Sequence, residues 1–130
     1  MSNFDKVREY LVELDYAIHF ENESDGIFVV NYEANGINNM MLGVAEPILI
    51  MEQHLFDLPA KDPEVLLSLL QKNRDMVHGA FVLDETGTKV IFRDTLQLEN
   101  LDLNEIEASF NALGLLLNEY MDEIIRFSKG

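Results

Sequence analysis

The chain has 130 residues, with 24 Asp and Glu against 9 Lys and Arg, so its formal net charge is -15. Its length predicts a single domain over residues 1–130, and its 48% content of hydrophobic residues is typical of a chain that folds around its own core. So large a negative charge repels phosphate backbones and anionic lipid headgroups, which argues against nucleic acid and membrane surfaces as partners.

The first half of the chain predicts a helix followed by strands. Phe4, Val7 and Leu11 share one face at helical spacing, which predicts an amphipathic helix over residues 3–14. Apolar runs separated by turn-rich segments then predict strands at 17–20, 27–32, 37–44 and 48–56. The first of these runs has the weakest pattern. Together they predict an antiparallel meander.

A capped helix and a hairpin are predicted next. Asp62 followed by Pro63 is typical of a helix start, because the aspartate caps free N–H groups and proline needs none at the first helical position. This pair predicts a helix over residues 63–74. Two alternating apolar runs over residues 80–92 predict a β-hairpin, in which Gly87 takes the left-handed conformation that the turn requires.

The last predicted element is the longest helix, over residues 103–127. Asp102 and Glu105 stand at the spacing of a capping box and mark its start. The elements follow the order α-β-β-β-α-β-β-α, with the segment 17–20 as an optional extra strand. This order predicts an α+β fold with a single antiparallel sheet of five or six strands.

No pattern in the sequence predicts catalysis, a metal or a cofactor. His19, His54 and His78 are the only histidines, and their spacing matches no metal-ligand motif. The seven glycines form no phosphate-binding loop, and the serines lie in no nucleophile elbow. The absence of cysteine excludes thiolate metal sites and cysteine nucleophiles. We therefore predict no catalytic, cofactor-binding or metal-binding residue.

A cytoplasmic location is expected. Asp5, Glu9 and Glu13 interrupt the apolar residues near the N-terminus, so this segment lacks the apolar region of a secretory signal. No stretch approaches the ~20 apolar residues that a membrane-spanning helix needs. A cysteine-free chain also fits a reducing compartment.

Two apolar features exceed what one core needs. Leu115 lies on the charged side of the last predicted helix, where it is either a lone exposed leucine or a contact to another chain. The run from Ile48 to Met51 is apolar on both faces, which is typical of a central strand covered on both sides. If three helices cover one face of the sheet, the other face is free for a partner. The candidate partner-binding residues are Leu115, Ile48, Ile50, Met40 and Met41.

The segment 66–96 carries motifs of a known family. They are the leucine- and asparagine-containing helix end Leu69-Leu70-Gln71-Lys72-Asn73-Arg74, the glycine that starts a strand, Gly79, and the aromatic-basic pair Phe92-Arg93. With the order of elements, these motifs resemble the YbjN family and the type III secretion chaperone-like (CesT/Tir chaperone) fold to which it belongs. The resemblance implies a twisted antiparallel sheet with helices mainly on one side, in a bacterial protein that is commonly dimeric. Secretion chaperones of this fold hold unfolded effector segments, and YbjN-like proteins are linked to regulation.

Two functions remain open from the sequence. The leading hypothesis is a non-enzymatic protein-interaction module, chaperone-like or regulatory, which binds a protein or peptide segment through apolar surface of its sheet and helices. The alternative is a small-molecule binder or cryptic enzyme with a pocket between sheet and helices, lined by the polar groups of Tyr32, His54, His78 or Arg93.

A homodimer is also expected, because two copies of the chain can bury the apolar surface that one copy leaves uncovered. The predicted interface residues are Leu115, Ile48 and Ile50. Isologous two-fold contacts are the commonest way to cover such surface. The like charge of the two copies opposes association, so the dimer is expected to tighten with salt.

Overall fold

The computed structural model of the chain describes residues 1–59 and 62–129. The helices are α1 (Asn3–Glu13), α2 (Pro63–Asn73) and α3 (Leu103–Lys129). The strands are β1 (Ala17–Asn22), β2 (Ile27–Tyr32), β3 (Ile37–Ala45), β4 (Ile48–Asp57), β5 (Ala80–Leu83) and β6 (Lys89–Gln97), and a turn of 3-10 helix, Glu33–Asn35, joins β2 to β3. The predicted α+β class is confirmed. Among the described residues, no helix is long and apolar enough to cross a membrane.

The six strands form one antiparallel sheet in the order β1-β2-β3-β4-β6-β5. The predicted meander and hairpin are both confirmed, and β4 is central, between β3 and β6. The optional strand is present as β1, so the sheet has six strands, as the prediction of five or six allowed. Its pattern is weak because β1 is an edge strand in which only Ile18 and Asn22 are even partly buried.

The predicted helix starts and hairpin turn are confirmed. Asp62 Oδ1 accepts a hydrogen bond from the backbone N–H of Glu64 at 2.9 Å and caps α2. Asp102 Oδ1 accepts one from the N–H of Glu105 at 2.8 Å at the start of α3. Gly87 has a φ of 73°, the left-handed conformation that its turn requires.

The core lies between the sheet and the three helices, which all pack on the same face. Phe28, Phe92 and Phe110 are among its largest fully buried side chains. Phe4 of α1 stacks on Phe28 with ring centroids 4.2 Å apart. Burial raises the pKa of Tyr16 to about 12, so its phenol is neutral at physiological pH. The layer between sheet and helices is therefore filled with packed side chains.

Two side-chain amides hold backbone groups that the sheet and helices leave free. Gln53, only 6% exposed, donates to the carbonyl of Gly36 at 3.0 Å and accepts from the N–H of Asn38 at 2.9 Å. Asn73, the last residue of α2, donates to the carbonyl of Phe81 at 3.0 Å and accepts from its N–H at 2.7 Å. The first amide fixes the turn before β3, and the second joins α2 to the outer side of the edge strand β5.

Gly79 determines how the chain enters β5. Its φ is 76°, a conformation that side chains with a Cβ rarely adopt. A Cβ at this position would lie 2.4 Å from two ring carbons of the fully buried Phe92. Glycine is therefore required here both by backbone conformation and by space.

Candidate protein-binding surfaces

The face of the sheet opposite the helices, here called the open face, carries apolar residues. Side chains alternate along a strand, and in β4 the buried residues Leu49 and Met51 point toward the helices. Ile48 and Ile50 therefore lie on the open face, where both are half-buried. Within the described residues, the helices pack only on the other face.

Register across the sheet brings apolar residues of neighbouring strands together on the open face. Phe20 lies opposite Val29, and Val29 lies opposite Met41. Phe20 is 52% exposed. We call the resulting surface the open-face patch, and it consists of Phe20, Ile27, Val29, Met41, Ile48 and Ile50.

Gly43 lies at the centre of the open-face patch, between Ile27 of β2 and Ile50 of β4. A Cβ built at this position would lie 3.6 Å from Met41 Sδ, 3.8 Å from Ile27 Cδ1 and 4.0 Å from Ile50 Cβ. These three side chains thus converge around a residue that has no side chain of its own. Gly43 is itself buried, so these side chains close over it and make the centre of the open-face patch a continuous apolar surface.

The prediction that Met40 contacts a partner is wrong. Met40 is fully buried and pairs with Val30 of β2, which is also fully buried, so both face the helices. Its neighbour Met41 points the other way and belongs to the open-face patch. Because side chains alternate along a strand, two adjacent methionines cannot both face a partner.

A second apolar surface lies at the β5 edge of the sheet, and the sequence analysis did not identify it. It is a groove of about 340 Å³, here called the α2–β5 groove, lined by Leu66, Leu69, Leu70, Phe81, Val82, Leu83 and Val90. Leu70, in the leucine- and asparagine-containing end of α2, is 68% exposed. The neighbouring Leu67 is also exposed, so α2 presents leucines to solvent beside a four-residue edge strand.

Leu115 is 68% exposed on the outer side of α3, as the charged surroundings in the sequence predicted. It lines a cleft of about 380 Å³ between α3 and the loop that joins α2 to β5, here called the Leu115 cleft. The open-face patch lies on the opposite side of the sheet from α3. The candidates Leu115 and Ile50 therefore do not belong to one surface, and a single two-fold interface does not include both.

The polar residues considered for a small-molecule site are not brought together. Tyr32 stacks on a second tyrosine with ring centroids 4.4 Å apart, beneath α3. His78 lines the Leu115 cleft. His54 and Arg93 lie on the open face, which is separated from Tyr32 by the sheet. These positions form no common pocket.

The polar residues of the open face take part in one ion pair, Arg93 with Glu52, and one hydrogen bond, His54 with Asp57. Arg93 Nη1 lies 2.6 Å from Glu52 Oε2, and His54 Nε2 lies 2.8 Å from Asp57 Oδ1. Hydrogen bonds from His54 and then Lys89 hold the pKa of Asp57 below its usual value. Over residues 1–59 and 62–129, no three His, Asp or Glu side chains are grouped so that they could hold a metal ion.

This architecture is the type III secretion chaperone-like fold. The chain is similar to SycH from Yersinia pestis, solved in complex with a stable fragment of YscM2, at 15% identity and a TM-score of 0.61 over 98% of this chain and 100% of that chain. It is similar to a chain of the HopA1-SchA chaperone-effector complex at 15% identity and a TM-score of 0.63 over 100% and 98%. YbjN from E. coli matches at 12% identity and a TM-score of 0.70 over 92% and 91%. Identities this low show the fold alone.

The family model CesT_Tir_1 matches residues 1–130, so the chain belongs to this family. The resemblance drawn from the segment 66–96 and the order of elements is thereby confirmed. No curated protein matches the sequence.

Proposed function

We propose that residues 1–130 act as a single non-enzymatic protein-binding domain, chaperone-like or regulatory, which holds a segment of another protein against the open-face patch. The observation that carries the proposal is the convergence of Met41, Ile27 and Ile50 around Gly43 on a sheet face that the described helices leave uncovered. Contiguous apolar surface of this kind is typical of interaction sites in folded proteins.

The shape and border of the patch favour a protein segment over a small molecule. The patch spans four neighbouring strands, β1 to β4, and it is bordered by the ion pair of Arg93 with Glu52. An apolar centre with a polar rim is the usual anatomy of a protein interface. The structures of SycH and SchA, to which this chain is similar, each contain a chaperone bound to a protein, and they support the same class of partner.

The test compares Ile50→Asp with Val12→Asp. Both changes replace an aliphatic side chain by a carboxylate, but Val12 is exposed on α1, far from the open face. Each protein is titrated against a fluorescently labelled, permanently unfolded protein and is also used to capture partners from the native host. Circular dichroism confirms that both variants fold.

We expect wild type and Val12→Asp to bind the unfolded protein and to capture the same host protein. For Ile50→Asp, we expect the affinity for the unfolded protein and the amount of captured host protein to fall by tenfold or more. A charged group placed in an apolar contact is desolvated without a partner, which accounts for the loss. Equal binding by folded Ile50→Asp would refute the assignment to the open-face patch. Enzymatic turnover by the purified protein would refute the non-enzymatic part of the proposal.

A homodimer is part of the same proposal, and the α2–β5 groove is the surface that we assign to it. None of its lining residues is charged, so two copies that each carry a charge of -15 bring no like charges together within it. Sedimentation across protein and salt concentration is expected to show a dimer that tightens with salt. Leu70→Asp should give a monomer, while Leu115→Asp and Ile50→Asp should remain dimeric; a dimer in Leu70→Asp would overturn the assignment.

The proposal keeps the cytoplasmic location that the sequence predicted. The cysteine-free composition supports it. Fractionation of host cells, with detection of the untagged protein by antibody, tests this part directly, and recovery in a membrane or extracellular fraction would contradict it.

A further inference from the structure

The Leu115 cleft offers apolar surface that neither the core nor the open-face patch uses. It runs between α3 and the loop from α2 to β5, and its apolar walls are formed by Met76, Val77, Ala112, Leu115, Leu116 and the ring of Tyr120. Val77 is 90% exposed, the highest value among the large hydrophobic side chains of the described residues. Two large aliphatic groups, Val77 and Leu115, thus meet solvent on the two walls of one cleft.

The charged groups at this cleft are mainly acidic. Asp75 and Glu119 lie among its lining residues, where His78 is the one basic side chain. Burial, followed by the negative charges of Glu119, Asp75 and Glu123, raises the pKa of Tyr120. Lys72 lies over the Tyr120 ring and pairs with Glu123, so the negative charge at the cleft rests on Asp75 and Glu119, in keeping with the charge of the whole chain.

We propose that the Leu115 cleft binds a protein segment in which apolar side chains are flanked by Lys or Arg. Apolar side chains of such a segment fit the walls formed by Val77 and Leu115, and its cationic groups reach Asp75 and Glu119. A second copy of this chain fits less well, because it brings like charge to an acidic rim. Phosphate-bearing ligands are repelled for the same reason.

This inference goes beyond the proposed function, since the cleft and the open-face patch lie on opposite sides of the sheet. A variant at one surface is therefore expected to leave binding at the other unchanged. Ile50→Asp distinguishes the two proposals, because it changes the open-face patch and leaves the Leu115 cleft as it is.

The probe is a short fluorescein-labelled peptide with a pair of leucines flanked by lysines in a glycine-serine background. A matched peptide carries glutamate in place of each lysine. Fluorescence anisotropy is recorded at low and high salt with the full chain. We expect the lysine peptide to bind wild type and Ile50→Asp alike, and the glutamate peptide not to bind.

Apolar variants test the walls of the cleft. Leu115→Ser and Val77→Ser are each expected to weaken binding of the lysine peptide about fivefold or more, because apolar area is no longer buried. Val12→Ser, at the exposed aliphatic position of α1, serves as the matched control and should bind as wild type does. All three positions are exposed, so folding is expected to persist and is verified by thermal unfolding.

Charge variants separate a defined site from attraction to an acidic protein as a whole. Glu119→Gln is expected to weaken binding about threefold at low salt and less at high salt. Glu13→Gln removes one exposed carboxylate of α1 and should change nothing. Failure of wild type to bind, unchanged binding by Leu115→Ser and Val77→Ser, equal effects of Glu119→Gln and Glu13→Gln, or loss of binding in Ile50→Asp would each overturn the proposal.

Discussion

Replacing Gly79 by alanine is expected to destabilise the fold strongly. At a φ of 76°, a residue with a Cβ adopts the left-handed conformation at a cost of about 1 to 2 kcal/mol. The new Cβ would also lie 2.4 Å from two ring carbons of Phe92, and overpacking of a core costs about 1 to 3 kcal/mol. Together the two effects lower the free energy of unfolding by about 2 to 5 kcal/mol, a large part of the stability of an ordinary domain.

Urea denaturation followed by circular dichroism measures this change. With a slope of about 2 kcal/mol per molar urea, the midpoint falls by about 1 to 2.5 M. Gly43→Ala is the matched control, because its added Cβ lies no closer than 3.6 Å to the atoms around it. Since alanine stabilises a strand relative to glycine, Gly43→Ala should gain about 0.5 kcal/mol.

A double variant separates backbone strain from the clash. Phe92→Leu shortens the side chain that the new Cβ meets, so the loss caused by Gly79→Ala should be smaller in its presence by about 1 kcal/mol or more. A loss below about 1 kcal/mol for Gly79→Ala alone, or an equal loss for Gly43→Ala, would refute the reasoning.

Gln53→Leu leaves two backbone groups without partners and is expected to cost about 2 to 4 kcal/mol in urea denaturation, whereas Gln97→Leu at an exposed position should cost little. Burial alone would raise the pKa of Asp84, but hydrogen bonds from Thr86 and from backbone N–H groups lower it overall. Its contribution to stability is therefore complete above the ordinary pKa of 3.8 and is lost as pH falls through the lower pKa of the folded chain. Asp84→Asn should lower the free energy of unfolding at neutral pH, and the difference between the variant and wild type should shrink as the pH falls. A difference in the free energy of unfolding that does not change with pH would contradict this.

Local signals in the sequence predict most of the elements because the same residues that mark an element also stabilise it. Asp62 and Asp102 can be recognised as helix caps because their carboxylates accept hydrogen bonds from backbone N–H groups in the first turn of the helix that follows. Gly87 can be recognised as a turn residue because the turn requires a positive φ, here 73°, which glycine adopts without steric cost. The boundaries of β1 are less predictable, because an edge strand with mostly exposed side chains lacks a buried face to pattern it.

The candidate sites depend on information that spacing does not contain. Met40 and Met41 are equally apolar, and only the pairing of β3 with β2 decides which of them faces the helices. Similarly, Leu69 and Leu70 belong to one apolar run, but α2 packs at the last strand of the sheet, where Leu69 is buried and Leu70 is exposed. Which apolar residues stay exposed is decided only when the strands pair and the helices pack on them, so spacing in the sequence does not predict these surfaces.

The two hydrogen bonds between Asn73 and Phe81 have a consequence for self-association. A free edge strand offers its N–H and carbonyl groups to any extended chain, which is how sheets grow into aggregates. At β5, the side-chain amide of Asn73 already occupies the donor and acceptor of Phe81. An incoming strand must first displace that amide, so Asn73→Ala should shorten the lag time of fibril formation on mild heating, even where the native fold persists.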